Sequence, residues 1–276
     1  MPKGWEWDET LYGGSAEYYE RGRLPYPAEL ADRLASALAL DGSGRAIDVG
    51  CGPGIIALRL AHLFDEMIGV DADRHMLEQA AQRAIERGIT NTRWVQMRAE
   101  DLPGDLGTFR VATFAQSFHW MDRARVAEKI HAMLQPGGAF VQVNHWSIAG
   151  EPAPESPYPF PPEDDVAQLV RTYLGESRRA GQGVLPSTKL DDEPEVLHAA
   201  GFGDPERVPL PAGEVVVSSV DDIVARHYSV SGSAPHLFGS RKEEFEQELR
   251  VLLNSASDSG KFAERVRDAE LVIWRR

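Results

Sequence analysis

Cysteine occurs once in 276 residues, so no internal disulfide can form and a cysteine-rich structural zinc site is excluded. A reducing compartment and no metal are expected. Positive charge is scarce: 29 Lys and Arg stand against 43 Asp and Glu, a formal net charge of −14, and no basic block is present. Nucleic-acid affinity draws largely on Lys and Arg displacing counterions, so no nucleic-acid partner is expected. Long apolar runs are also missing. The first residues, Met-Pro-Lys-Gly-Trp, lack an apolar signal core, and no later stretch is long enough to span a bilayer. These absences lead us to expect a soluble cytoplasmic protein without a membrane partner; they leave its oligomeric state open. No internal repeat is apparent. At this length, with 42% hydrophobic residues, either one large α/β domain or two small ones can bury a core.

What is present alternates between two periods. Leu30, Leu34, Ala37 and Leu38 form one apolar helical stripe. From Arg45 onward, buried-strand runs at Ala46–Val49, Met67–Val70, Trp94–Met97, Val111–Ala115 and Ala139–Val143 are separated by helical stripes. The stripes are Ile56, Leu60, Leu63 and Phe64, then Met76, Leu77, Ala80, Ala81, Ala84 and Ile85, then Val126, Ile130, Met133 and Leu134. Gly88 stands where a left-handed C-terminal cap falls, and Pro136-Gly137-Gly138 is expected to stop the third helix. Repeated strand-helix units of this kind predict a doubly wound parallel sheet. Beyond Asn144 the pattern breaks into a proline-rich stretch, Pro152 to Pro162, expected as a solvated loop; a proline-binding recognition motif is the other reading. Val166, Leu169, Val170 and Tyr173 resume a helix, Phe245, Leu249, Leu252 and Leu253 form another, and Leu271–Trp274 reads as a terminal buried strand. The aromatic and glycine-rich first residues, including Trp5, Trp7, Tyr12, Tyr18, Tyr19 and Tyr26, suit a lid more than a core element.

The most informative segment is Asp48-Val49-Gly50-Cys51-Gly52-Pro53-Gly54, at the end of the first strand and opening a helix. Glycines there let backbone approach a ligand, and a helix N-terminus offers unpaired N–H groups. Asp71, at the end of the second strand, can accept both hydrogens of a ribose diol, so the pair reads as a site for a nucleoside-containing cofactor. Capping of the next helix is the other role open to Asp71, although Asp73 fills it better. A nicotinamide or flavin site wants its third glycine at position 55, where this chain has Ile55.

The glycine spacing with Asp48 resembles the first motif of class I S-adenosylmethionine-dependent methyltransferases. Gly69-Val70-Asp71-Ala72-Asp73 with Met76-Leu77 is similar to the second motif, and Ala99-Glu100-Asp101-Leu102-Pro103 to the acidic loop that meets the adenine edge. Gln116-Ser117-Phe118-His119-Trp120 resembles the motif after the fourth strand, and Leu134-Gln135-Pro136-Gly137-Gly138 the turn before the fifth. Tyr19 to Pro27 resembles a segment of the small-molecule branch that contains trans-aconitate methyltransferase-like enzymes and methyltransferase type 11. Leu24 replaces a proline usual there, and Arg98 stands where an acid often precedes the adenine-loop alanine.

The resemblance implies a mostly parallel, seven-stranded Rossmann-like methyltransferase sheet in a single domain spanning 1–276. It implies a lid over 1–27, a cofactor-binding core over 28–145, and cap insertions over 146–190 and 215–268. It implies S-adenosyl-L-methionine as cofactor, with Tyr19, Arg23, Asp48, Gly50, Cys51, Gly52, Gly54, Asp71, Ala72, Met76, Ala99, Glu100, Gln116 and Phe118 around it. Arg23 would face the methionine carboxylate if the lid folds back; with Tyr19, it would otherwise lie on an exposed helix face. Cys51 is read as a small packing residue rather than a nucleophile, since nothing near it in sequence except the helix end would activate a thiolate. His119, at the carboxyl end of the fourth strand, is the candidate general base, with a place in the pocket wall as the other reading. His145 and Trp146 hold the equivalent place after the fifth strand, and Arg178-Arg179 either meets an anionic substrate or is a solvated pair. Tyr12, Tyr158, Phe160, His227 and Tyr228 point to an apolar or aromatic acceptor pocket, while exposed loop aromatics account equally for Tyr158 and Phe160. The expected reaction is SN2 methyl transfer to a small-molecule O, N or C nucleophile. A non-catalytic cofactor-binding or regulatory module and a nicotinamide oxidoreductase are the competing classes.

Overall fold

Successive side chains of a strand face opposite ways, so a run buried on both faces has to be covered by two layers. The computed structural model describes residues 10–102, 106–180, 183–185 and 192–276; Trp5, Trp7, Pro103 and the side chains of Arg178 and Arg179 lie outside what it describes. Its strands are β1 (Arg45–Val49), β2 (Glu66–Asp71), β3 (Thr92–Gln96), β4 (Phe109–Ala115), β5 (Leu134–Asn144), β6 (Glu151–Pro152), β7 (Arg178–Ala180), β8 (Gly183–Leu185), β9 (Glu206–Leu210), β10 (Val215–Ser219), β11 (Lys261–Arg265) and β12 (Ala269–Arg275). Its α-helices are α1 (Ala16–Gly22), α2 (Leu30–Leu38), α3 (Ile55–Leu60), α4 (Arg74–Glu86), α5 (Arg123–Met133), α6 (Glu163–Leu174), α7 (Glu193–Ala199), α8 (Val220–Tyr228) and α9 (Lys242–Ala256).

Seven strands form one sheet in the order β3-β2-β1-β4-β5-β12-β9, with β12 antiparallel to both neighbours and the first five strands parallel. Alternation sorts its side chains. Ile47, Ala112, Phe140, Val272 and Trp274 pack with Val126 and Ile130 of α5 on one face. Ala46, Val111, Val141, Leu271 and Ile273 pack with Leu30 and Leu34 of α2 and Ile56 and Leu60 of α3 on the other. The strand order reverses between β1 and β4, so the loops after these two strands diverge and leave a crevice at their carboxyl ends.

Helix α4 shows how local signals set the frame. Asp73 caps it by accepting from His75 and Met76 N–H at 2.8 and 3.3 Å. Gly88, at φ 66°, ends it: Gly88 N–H donates to Ile85 and Ile89 N–H to Ala84, leaving few carbonyls unmet. Ile85, assigned to the apolar stripe, is instead 75% exposed. The third predicted helix also stops early. It ends at Met133, and Leu134 already pairs with Phe109 across a register shift, so the Pro-Gly-Gly turn is absorbed into β5.

Beyond β5 the sequence pattern is thin and the structure richer. The proline-rich stretch is mostly exposed, but its start, β6, joins a small sheet ordered β10-β11-β6, and Ala153 and Pro161 are buried. Around that sheet, α6, α8 and α9 bury their own cluster, including Val166, Tyr228, Phe238, Phe245, Leu249 and Phe262. Tyr18 of α1 packs on this cluster, its ring 5.1 Å from that of Tyr228. Among the described residues no helix is long and apolar enough to cross a membrane.

Candidate functional site

The loop after β1 is built by backbone bonds. Gly50 and Cys51 N–H both donate to the Val70 carbonyl, at 2.8 and 3.0 Å, and Gly54 N–H to that of Cys51 at 3.0 Å. Gly52 N–H donates to Asp71 Oδ2 at 2.7 Å. The loop therefore spends these N–H groups on its own shape. Its glycines serve three different needs. Gly50, at φ 67°, has no room for a Cβ, which would lie 2.6 Å from that of Ser117. Gly54, at φ 77°, makes way for Trp94 and Ala80, 2.8 and 2.9 Å from a built Cβ, so its absent side chain serves helix packing. Gly52, at φ 52°, has nothing within 4 Å of where a Cβ would point. That open space is the cradle. Alanine is expected to divide the two roles: Gly54→Ala lowers stability by roughly 2 kcal/mol or more through overpacking. Gly52→Ala costs about 1 kcal/mol of backbone strain but fills the cradle and weakens ligand binding. Urea unfolding and ligand titration on both variants check this.

A cleft enclosing about 810 Å³ of empty space, open solvent at its mouth included, lies over this loop. Tyr19, Gly50, Gly52, Asp71, Ala72, Met76, Ala99, Glu100 and Gln116 line it. Asp71 accepts from Gly52 at 2.7 Å and, through Oδ1, from Asp73 N–H at 2.9 Å, so each oxygen is oriented by backbone and keeps capacity for a further donor. Burial raises its pKa to about 6 against these bonds. Glu100, also buried, accepts from Asp122 N–H at 2.9 Å and lies 3.5 Å from Arg98 Nε. Gln116 holds φ 55°, a left-handed value rare outside glycine, and places strained backbone at the end of β4 against the cleft.

Other expected site residues stand elsewhere. Phe118 is a core residue, 5.2 and 5.1 Å from the rings of Phe114 and Phe140. Cys51 is buried, and burial with the nearby Asp71 and Asp48 pushes its thiol well above the ordinary value, which keeps the thiolate away. Arg23 stacks over Tyr19 at 4.6 Å and donates to Ser147 Oγ at 3.2 Å and to the Ser229 carbonyl at 2.7 Å, outside the cleft lining. His119 is not among the lining residues either. Burial, with Arg123 nearby, lowers its pKa to about 4, so it is neutral at pH 7. His145 is buried against Tyr26, Trp146 is 53% exposed, and Tyr228 lies in the cluster buried by α6, α8 and α9; of the aromatics expected around an acceptor, Tyr12 alone lines the cleft.

The residues missed by sequence reading are Leu11, Asp73, Met97, Arg98, Ala115, Ser117, Trp120 and Met121. One signal was available. Phe118–Trp120 forms a 3₁₀ turn, in which positions three apart eclipse, so Ser117 and Trp120 reach the same side while Phe118 enters the core. The edge of the Tyr12 ring meets Trp120 at 6.0 Å.

Asp48 sits behind the loop, 1% exposed. Oδ1 accepts from Thr113 at 2.7 Å, and Oδ2 has no hydrogen-bond partner among the described residues. Burial raises its pKa to about 7. In the unfolded chain it ionises near 4, so between about pH 4 and 7 folding takes up a proton and stability falls as pH rises. Above that window the loss is complete. Asp48→Asn keeps an acceptor for Thr113 and removes the titration, so the variant is expected to be roughly 3 kcal/mol more stable than the parent at pH 8 and equal to it near pH 4. Urea denaturation at the two pH values is the measurement; equal stability at pH 8 would refute the burial cost.

Residues 46–138 match a family model described as a methyltransferase domain. An uncharacterized methyltransferase of Bacillus subtilis, YcgJ, is 30% identical over 151 residues, 54% of this chain and 57% of that protein. The chain thus spans little more than half the length of this relative. The 27-O-demethylrifamycin SV methyltransferase of Amycolatopsis mediterranei is 28% identical over 203 residues, 72% of this chain and 68% of that protein. Among solved structures, YcgJ superposes with a TM-score of 0.50 at 21% identity, covering 89% of this chain and 98% of its own. An S-adenosylmethionine-dependent methyltransferase of Thiobacillus denitrificans, solved with S-adenosyl-L-homocysteine, gives 0.50 at 16% identity, covering 95% and 96%. At these identities, the structural likenesses establish the fold.

Proposed function

Because this chain belongs to the class I S-adenosylmethionine-dependent methyltransferase family, we propose that it transfers the methyl group of that cofactor to a small-molecule acceptor. The observation that carries the reading is the convergence of an oriented Asp71, an open cradle at Gly52 and a buried Glu100 around one cleft. The donor set fits a cationic nucleoside. Asp71 accepts the ribose hydroxyls, Ala99 and Glu100 meet the adenine edge, and Tyr19 covers the loop from the lid. The orphaned Oδ2 of Asp48 lies behind the loop as a buried negative charge once a cation binds.

When bound, S-adenosylmethionine supplies a methyl group already activated by a sulfonium. The residues of this chain then have to position the acceptor and keep water out, effects that together supply on the order of 7–11 kcal/mol. No base is obligatory for an already ionised oxygen or a neutral amine as nucleophile, and His119, placed outside the cleft lining, is assigned no such role.

The lining supports one acceptor class. Asp71, Asp73 and Glu100 are carboxylates and, among the described residues, only Glu100 has a cation, Arg98, beside it, so the net negative charge of the lining disfavours an anionic acceptor. Leu11, Tyr12, Trp120 and Met121 provide apolar surface. A neutral or cationic molecule with an apolar or aromatic body fits, in keeping with a relative whose name assigns it a demethylrifamycin substrate. We further propose one elaborated domain in which residues before 28 form the lid and the segments after β5 form the cap, acting in the cytoplasm.

Isothermal titration with S-adenosylmethionine tests the cofactor half. Folded protein that binds none sinks the proposal. Release of S-adenosylhomocysteine in the presence of phenols, alcohols or amines tests the transfer half and excludes a purely binding module; turnover confined to carboxylates would overturn the acceptor class.

A further inference from the structure

Arg83 on α4 is 6% exposed, far from any role that the nucleotide motifs require of it. Its planar guanidinium points two donors at two different parts of the chain. Nη1 donates to the Pro53 carbonyl at 2.9 Å, fixing the Pro53–Gly54 peptide of the glycine loop. Nε lies 2.9 Å from Glu20 Oε2 on the lid helix α1. Arg87, one turn further along α4, donates to the other oxygen of the same carboxylate. Tyr19, the neighbour of Glu20, lines the cleft, as do Gly50 and Gly52. One carboxylate therefore ties the lid to α4, and one buried arginine continues the tie into the loop.

The rest of the lid attaches elsewhere. Arg21 pairs with Asp221 and Asp222 of α8, at 3.2 and 2.7 Å, and Arg226 donates to the Gly22 carbonyl at 3.2 Å. Helix α1 is thus bound to α8, and Glu20 is its side chain that reaches Arg83 and Arg87; further along the segment, Arg59 of α3 holds the carbonyls of Tyr26 and Pro27.

We propose that Arg83 is a positioning residue that couples lid closure to the shape of the glycine loop, through the Glu20–Arg83–Pro53 chain. With the lid down, Glu20 orients the guanidinium and the guanidinium holds the Pro53 carbonyl. With the lid up, the loop loses that restraint and the cradle at Gly52 loosens. A lysine cannot replace Arg83, because its single ammonium lacks the fork that reaches both partners.

Hydrogen exchange on the ligand-free protein tests the coupling. Glu20→Lys sets a cation beside Arg83 and Arg87 at a half-exposed position, and urea unfolding of the same variant separates a global loss of stability from local loosening. Amides of both α1 and residues 50–57 are expected to exchange faster, by roughly tenfold. Arg21→Gln cuts the exposed pairs to α8 without touching Arg83; it should loosen α1 alone. The proposal is overturned if residues 50–57 are unchanged in Glu20→Lys, or if they loosen equally in Arg21→Gln.

A second arm, titration with S-adenosylhomocysteine, rests on the cofactor reading. Affinity is expected to fall about tenfold in Glu20→Lys and Arg83→Lys, with the double variant no worse than either single one. Additive losses would refute the shared chain. If the parent protein itself binds no S-adenosylhomocysteine, the cofactor reading fails, and the exchange arm still decides the coupling.

Discussion

Replacing Glu264 by Gln is expected to cost about 3–5 kcal/mol of unfolding free energy, because it neutralises one member of a buried ion pair. Glu264 is fully buried, and its Oε1 lies 2.6 Å from Nη1 of Arg226, which is itself 3% exposed. Oε2 accepts from Gly150 N–H at 2.7 Å, and Arg226 also donates to Gly22 O and to Ser218 Oγ. Glu163 stands 4.0 Å away, too far to hydrogen-bond and able to offset the lost charge only in part. Removing one member leaves an uncompensated guanidinium inside the protein. The double variant Arg226→Met/Glu264→Leu should recover most of the loss, because well-packed apolar groups replace a buried pair at little cost. Urea denaturation of the three proteins decides the matter. A Glu264→Gln midpoint within error of the parent would show that water reaches the pair. Since Gly22 ends the lid helix, the single variant should also loosen Tyr19 and lower cofactor affinity.

Asp71→Asn is expected to weaken S-adenosylmethionine binding about 100-fold at pH 8. The carboxylate is held by Gly52 and Asp73 N–H, and ribose hydroxyls donating to it make charge-assisted bonds worth about 1.5–3 kcal/mol each. An amide keeps one acceptor oxygen and turns a donor toward the other partner. A pH series adds a second signature. The ionised form binds, and the group titrates at about 6 in the free protein, so affinity is flat above about pH 7 and falls up to tenfold per unit below 6. The Asn variant should show no such fall. Titration calorimetry from pH 5 to 8 on both proteins measures it, and parallel profiles would remove Asp71 from the ribose role.

The half of the fold that was legible is the half built from buried parallel strands. Ala46–Val49, apart from Asp48, and Met67–Val70 carry no polar side chain on either face, and a strand covered by helices on both sides reads that way. Likewise, Asp73 and Gly88 mark the ends of α4 because cap chemistry is local. The cap escaped for the opposite reason. In β10 and β11 exposure varies without a clean alternation, and β6 has two residues. Their pairing depends on partners far away in sequence. At the site, Asp71 and the glycines were visible because backbone geometry demands them. Trp120 and Arg83 were not: a 3₁₀ turn decides which residue of Phe118–Trp120 meets the cleft, and a lone arginine on a helix looks the same whether it grips solvent or two other segments.

The position of β12 between β5 and β9 also governs the order in which the protein is made. A ribosome delivers β5 long before β12, so the nascent sheet waits with the edge of β5 unpaired while the whole cap is synthesised. Helix α1 waits too, since it precedes every other helix yet rests on α8. An open strand edge on a half-made sheet is a template for pairing with another chain. During synthesis the protein is therefore most exposed to aggregation over the interval between β5 and β12, and slow codons or a chaperone would have the most effect there.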